Sequence, residues 1–102
     1  MFDEAIARAV QAFDKVIVCS GREDKFAPQT IEWLNRHNFR YDALFMRPTD
    51  DMRPDYEVKL EIFDNLIAPY YNVVAMVDDR DSVVAAYRRH GLTVWQVDYG
   101  DF

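Results

Sequence analysis

Apolar positions along the chain alternate between helical and extended spacing. Phe2, Ala5, Ile6, Ala9, Val10 and Phe13 recur every three or four residues, which predicts an amphipathic helix from Phe2 to about Asp14. Val16 to Cys19 is a short, mostly β-branched run that meets Ser20-Gly21-Arg22, the pattern of a buried strand entering a tight loop. Pro28 suits the first turn of a second helix, Ile31 and Leu34 supply its inward stripe, and Asn38 is its stop. Leu44 to Met46 predicts a second strand, and the polar stretch from Arg47 to Asp55, with Pro48 and Pro54, a loop. Val58, Ile62, Phe63, Leu66 and Ile67 mark a third helix, ended by Pro69. Val73 to Val77 is apolar throughout, as in a strand covered on both faces of a parallel sheet. Ser82 to His90 predicts a fourth helix with Gly91 as its stop, and Thr93 to Val97 a last strand. A helix, three strand–helix repeats and a closing strand imply an α/β three-layer fold with a mainly parallel sheet of about four strands and four helices. No linker or low-complexity segment interrupts residues 1–102, so one domain is expected.

Composition narrows the functional classes. Half of the 102 residues are hydrophobic, enough for a core and too many for a disordered chain. No apolar run approaches the roughly 20 residues that span a bilayer, and Met1 to Val10 lacks the apolar stretch of a signal peptide. Cys19 is the only cysteine, so no disulfide forms within the chain and a cytoplasmic setting is expected. The formal charge of −6 argues against a general nucleic-acid binder, so any contact with a polynucleotide must be local.

In parallel α/β sheets, ligands bind beyond the carboxyl ends of the strands. Three polar clusters fall there. Ser20-Gly21-Arg22 combines a hydroxyl, a residue that allows close backbone approach and a planar fork of donors suited to phosphate. The same three residues also fit an ordinary turn with a solvated arginine. Asp55 and Lys59, four apart, share one helix face, where Asp55 can orient Lys59 toward a phosphoryl group. A plain surface ion pair fits the spacing equally. Asp78-Asp79 leaves the most apolar strand. Two adjacent carboxylates repel unless a cation or donors compensate, and oxygen-only ligands suit magnesium; the other role open to acids here is capping the next helix.

The remaining polar and aromatic residues have simpler roles. His37 and His90 stand near helix ends, where their rings meet the last carbonyls. Cys19 is a small core residue, and Trp33 and Trp95 are core or partner-contact residues. Arg88-Arg89 is a solvated helix face.

Residues 16–23 (Val-Ile-Val-Cys-Ser-Gly-Arg-Glu), 53–63 (Arg-Pro-Asp-Tyr-Glu-Val-Lys-Leu-Glu-Ile-Phe) and 76–84 (Met-Val-Asp-Asp-Arg-Asp-Ser-Val-Val) resemble motifs two, three and four of the haloacid dehalogenase superfamily. The closing stretch 87–102 resembles the end of the phosphatase domain of bacteriophage polynucleotide kinase–phosphatases. The resemblance implies a Rossmann-like fold and magnesium-dependent removal of 3′-phosphates from nucleic-acid ends through an aspartyl-phosphate. By that resemblance Ser20, Gly21 and Arg22 bind phosphate, and Lys59 neutralises the transferring group with the support of Asp55. Asp78 and Asp79 hold Mg2+, directly or through water. Such a division of labour suits phosphoryl transfer, which is mostly positioning and charge neutralisation.

The family's first motif, Asp-x-Asp-Gly-Thr, which supplies the nucleophile, the general acid/base and the central strand, occurs nowhere in the sequence. The expectation is therefore a phosphatase domain truncated on its N-terminal side. A second polypeptide, or a further part of the same gene product, would complete its sheet and site. Two alternatives are a non-catalytic binding module, in which the Val16 and Val73 strands pair directly into a four-stranded sheet, and a homo-oligomer joined through strand edges. No Gly-x-x-x-x-Gly-Lys-Ser/Thr loop is present, so this stretch carries no such kinase phosphate loop.

Overall fold

In the computed structural model, residues 4–98 and Gly100 are described. The chain divides into two compact units, Met1–Asp51 and Met52–Phe102. No helix among the described residues is long and apolar enough to cross a membrane.

The first unit opens with α1 (Glu4–Val10), which ends earlier than the periodicity predicts and has no fully buried residue; Phe2, the predicted start, lies outside the described residues. Phe13 lies beyond the helix and is partly exposed. The segment after α1 is clamped by Arg40. Its guanidinium donates to the Phe13 carbonyl at 2.8 Å, while Gln11 exchanges side-chain hydrogen bonds with the Arg40 backbone. β1 (Ile17–Glu23) pairs in parallel with β2 (Ala43–Arg47), Ile17 opposite Ala43 through Ser20 opposite Met46. Asp42 fixes the register just ahead of β2. Its carboxylate accepts the Val16 N–H at 2.7 Å, and its own N–H donates to the Val16 carbonyl.

The strand runs further than its apolar residues do. Beyond Ser20 the register shifts, and Glu23 pairs with Arg47, so Gly21 and Arg22 bulge out of the ladder. The predicted tight loop is thus a bulge within a longer strand. A 3₁₀ turn (Asp24–Phe26) leads into α2 (Ala27–Arg36), with Pro28 in its first turn and Asn38 at φ 54° in the left-handed stop. Thr30 and Leu34, one turn apart, face inward. Ile31, expected on the inward stripe, is partly exposed, because one residue past Thr30 is about 100° round the helix.

The second unit contains α3 (Asp55–Ile62), extended by a π-helical turn over Phe63–Ile67. There the Ala68 N–H reaches back to the Phe63 carbonyl. The wider turn leaves Phe63 and Ile67 buried and Leu66 exposed, a rotation that 3.6-residue periodicity does not anticipate. β3 (Met76–Asp78) pairs in parallel with β4 (Val94–Gln96), Met76 opposite Val94 and Asp78 opposite Gln96. α4 (Asp81–Arg89) ends at His90, with Gly91 at φ 88°. Val83, Val84, Tyr87 and Val94 form one buried cluster, with Tyr56, Leu60, Met76 and Leu92 packed against it.

The apolar run 73–77 becomes strand only from Met76, and Val74 is 63% exposed. Full burial of that run needs a neighbour on each side of β3; β4 covers one edge of the pair. Both ladders are parallel, as expected, but each unit has its own two-stranded sheet.

Candidate active site

The first unit carries one of the three polar clusters expected from sequence, and the second carries the other two. In the second, Lys59 projects from α3 after one turn, and β3 delivers Asp78 at its carboxyl end. Lys59 Nζ lies 3.0 Å from Asp78 Oδ2 and 3.2 Å from Asp55 Oδ2. All three side chains are close to nine-tenths buried. This removes the surface-pair alternative for Asp55 and Lys59: the ammonium is buried and paired on two sides. Burial pushes the Lys59 pKa down, but the charges of Asp78 and then Asp55, with their hydrogen bonds, outweigh it and hold the pKa above its ordinary value. Lys59 is therefore a fixed positive charge.

Asp78 is the centre of the cluster. Oδ2 takes Lys59, while Oδ1 accepts the backbone N–H groups of Asp79 at 2.8 Å and Arg80 at 3.2 Å. Those two donors stabilise a carboxylate at the strand end. Arg80 adds a second cation, 3.8 Å from Asp55 Oδ2. Asp79 is exposed, and its carbonyl accepts from Gln96 of β4. Asp81 opens α4 and is held by the Gln96 side chain at 2.6 Å and the Gly100 N–H at 3.1 Å. Sequence reasoning assigned no role to Arg80 or Gln96. The signal for Arg80 was its position two residues after Asp78; nothing in the sequence marked Gln96.

Magnesium does not find a full site in these residues alone. Among the described residues, no three His, Cys, Asp or Glu side chains are placed to hold a metal ion. Asp78 already receives three hydrogen bonds, one from an ammonium. Asp78 and Asp79 thus offer part of an oxygen shell, where magnesium needs near-octahedral coordination.

In the first unit, Ser20, Gly21 and Arg22 stand together on the β1 bulge. Ser20 Oγ accepts the Arg22 N–H at 3.1 Å, and Arg47 Nε donates to the Gly21 carbonyl at 2.8 Å. The loop after β2 is strapped to this corner: Asp24 accepts from Thr49, and Glu23 accepts the Asp50 N–H at 2.8 Å. The backbone of this corner is held by Ser20, by Arg47 and by the loop after β2. Arg22 itself is exposed at the surface.

The other residues divide. The His37 ring lies 2.8 Å from the Trp33 carbonyl, as its place at a helix end predicts. His90 instead meets Asp64 at 2.7 Å, with its ring edge-on to Phe63. Trp33 and Trp95 are partly exposed and so are not core residues, and Cys19 is half-buried. Arg88 is more than a solvated side chain, since it donates to the Val94 carbonyl at 3.1 Å.

The whole chain, residues 1–102, matches the family model described as the polynucleotide kinase PNKP phosphatase domain. The chain belongs to this family, within the haloacid dehalogenase type of fold. It is 37% identical over 91 residues to the "Putative bifunctional polynucleotide kinase/RNA ligase" of Autographa californica nuclear polyhedrosis virus, covering 85% of this chain and 13% of that protein. Two solved structures, of the Pnkp1/Rnl/Hen1 RNA repair complex and of the Pnkp1/Rnl/Hen1 complex, contain chains that match all of this chain at 36% identity, with TM-scores of 0.95 and 0.94. This chain spans 34% and 37% of those chains.

Proposed function

We propose that this chain supplies the greater part of a magnesium-dependent phosphatase site for polynucleotide 3′-phosphates. The observation that carries the reading is Lys59, a charged ammonium held by Asp55 and Asp78 at the carboxyl end of a parallel strand. A preorganised cation in a water-poor setting stabilises the charge that develops on a transferring phosphoryl group. Arg22, with Ser20 and the backbone of Gly21, binds the phosphate oxygens. Asp78 and Asp79 contribute carboxylate oxygen to a magnesium site that the nucleophile-bearing segment completes. That segment brings an Asp-x-Asp-Gly strand, and β3, paired with β4 and preceded by the exposed Val74, supports such a neighbour. The substrate is a polynucleotide end, in keeping with the kinase, ligase and RNA repair settings named for its relatives.

The test is phosphate release from a 3′-phosphorylated oligonucleotide, with the chain alone and with a polypeptide carrying the Asp-x-Asp-Gly strand. Magnesium-dependent turnover is expected only in the mixture, falling about a hundredfold or more with Lys59→Ala or Asp78→Asn. Absence of turnover in a mixture shown to form a stable complex would overturn the reading.

A further inference from the structure

Arg22 is exposed, yet its side chain is not left to solvent. Its guanidinium lies 5.2 Å from the centre of the Phe26 ring, and one terminal nitrogen donates to Thr30 Oγ1 at 3.4 Å. Thr30 is one of two buried polar or charged side chains in the described residues, the other being Lys59. A threonine hydroxyl has one hydrogen and two lone pairs. The Thr30 hydrogen is committed to the Phe26 carbonyl, at 3.0 Å one turn back in sequence. Oγ1 can therefore turn only lone pairs toward Arg22, so Thr30 acts on the guanidinium solely as an acceptor. The backbone bond satisfies the hydroxyl by itself, as in many helices. Burial alone would be served equally by valine, which has the same shape and no acceptor.

Phe26 completes the cradle. Its carbonyl orients Thr30, and its ring supports the Arg22 guanidinium on a π face, with Lys25 Nζ 5.4 Å from the same ring. An arginine has five N–H donors, and this arrangement uses one of them. A planar fork whose plane and direction are set before binding loses less entropy on meeting a phosphate.

We propose that Thr30, with Phe26, is a positioning residue that holds Arg22 ready for the 3′-phosphate. The proposal rests on the phosphatase reading of the Ser20–Arg22 bulge and adds to it the origin of its preorganisation. Neither residue touches the substrate; both act through Arg22.

Two measurements on the full chain test it. The first is 15N relaxation of the Arg22 Nε–H group, assigned with Arg22→Lys, in wild type, Thr30→Val, Thr30→Ser and Phe26→Leu. Arg22 is expected to be ordered in wild type and Thr30→Ser, which keeps the acceptor. It is expected to be mobile in Thr30→Val and intermediate in Phe26→Leu. The second is affinity for a 3′-phosphorylated oligonucleotide relative to its 3′-hydroxyl counterpart. That preference should fall about three- to tenfold in Thr30→Val, survive in Thr30→Ser and vanish in Arg22→Ala. An Arg22 side chain equally ordered in wild type and Thr30→Val, or a preference unchanged by Thr30→Val, would overturn the positioning role. An ordered wild-type Arg22 without any preference for the phosphorylated end would overturn the phosphate reading of the bulge itself, and the positioning role with it, while the anchoring contact stood. Should Thr30→Val not fold, Phe26→Leu with wild type decides on the same two readouts.

Discussion

Lys59 and Asp78, nineteen residues apart, meet at 3.0 Å, and this contact ties α3 to the end of β3. Asp55 closes on the same ammonium from one turn earlier in α3. The cluster is consequently part of the packing of the second unit.

Removing Lys59 takes the ammonium away from between two buried carboxylates, Asp55 and Asp78. Lys59→Met should destabilise the chain by about 3–5 kcal/mol, the usual result of breaking a buried pair from one side. Adding Asp78→Asn should restore part of that loss. Urea denaturation of both single variants and the double variant measures the coupling.

The raised Lys59 pKa makes stability depend on alkaline pH. Between the unfolded value, near 10.5, and the higher folded one, the folded chain binds the proton more tightly, so stability falls as pH rises. The contribution is full below about pH 10.5 and is lost as pH climbs through the folded value. Wild type should therefore lose stability more steeply than Lys59→Met above that point. Chemical denaturation from pH 9 upward, at matched ionic strength, provides the comparison.

Asp42 gives the opposite dependence in the first unit. The hydrogen bond from the Val16 N–H is the largest influence; with the charges of Lys15 and Arg40 it outweighs the opposing effect of burial and holds the pKa below its ordinary value. A depressed carboxylate contributes stability above its unfolded value, lost as pH falls through the folded one. Asp42→Asn should show a shallower loss of stability than wild type below about pH 3.8, read from acid titration by circular dichroism.

The two valine environments of the second unit should respond very differently. Val83 is fully buried, so Val83→Ala should cost about 2 kcal/mol through lost transfer energy and the cavity left behind. Val74 is mostly exposed, so Val74→Ala should stay within about 0.5 kcal/mol in the isolated chain. With the completing strand bound, Val74→Ala should begin to cost stability. Thermal unfolding of each variant with and without that segment checks the difference.

The sequence by itself determined the order of the elements, the parallel pairing and the positions of the candidate groups. Asn38 and Gly91 stop their helices in left-handed conformations, as their side chains foretell. The three polar clusters follow apolar runs because helix and strand periodicities are local properties, set within a few residues. Family membership was legible from residues 16–23, 53–63 and 76–84 for the same reason: the motifs are short and contiguous.

Only the tertiary structure decided which groups meet. The sequence placed Asp78 at a strand end, and the structure adds that its carboxylate is tied to Lys59 and two backbone donors. The run 73–77 promised a longer strand than Met76–Asp78, because strand length is settled by a neighbour on each side and not by the run's own apolarity. Nothing in the sequence marked Thr30, and it is buried in contact with Arg22, eight residues earlier on the bulge. Contacts across such separations depend on how β1, α2, α3 and β3 pack within their units, and no local pattern of residues encodes that.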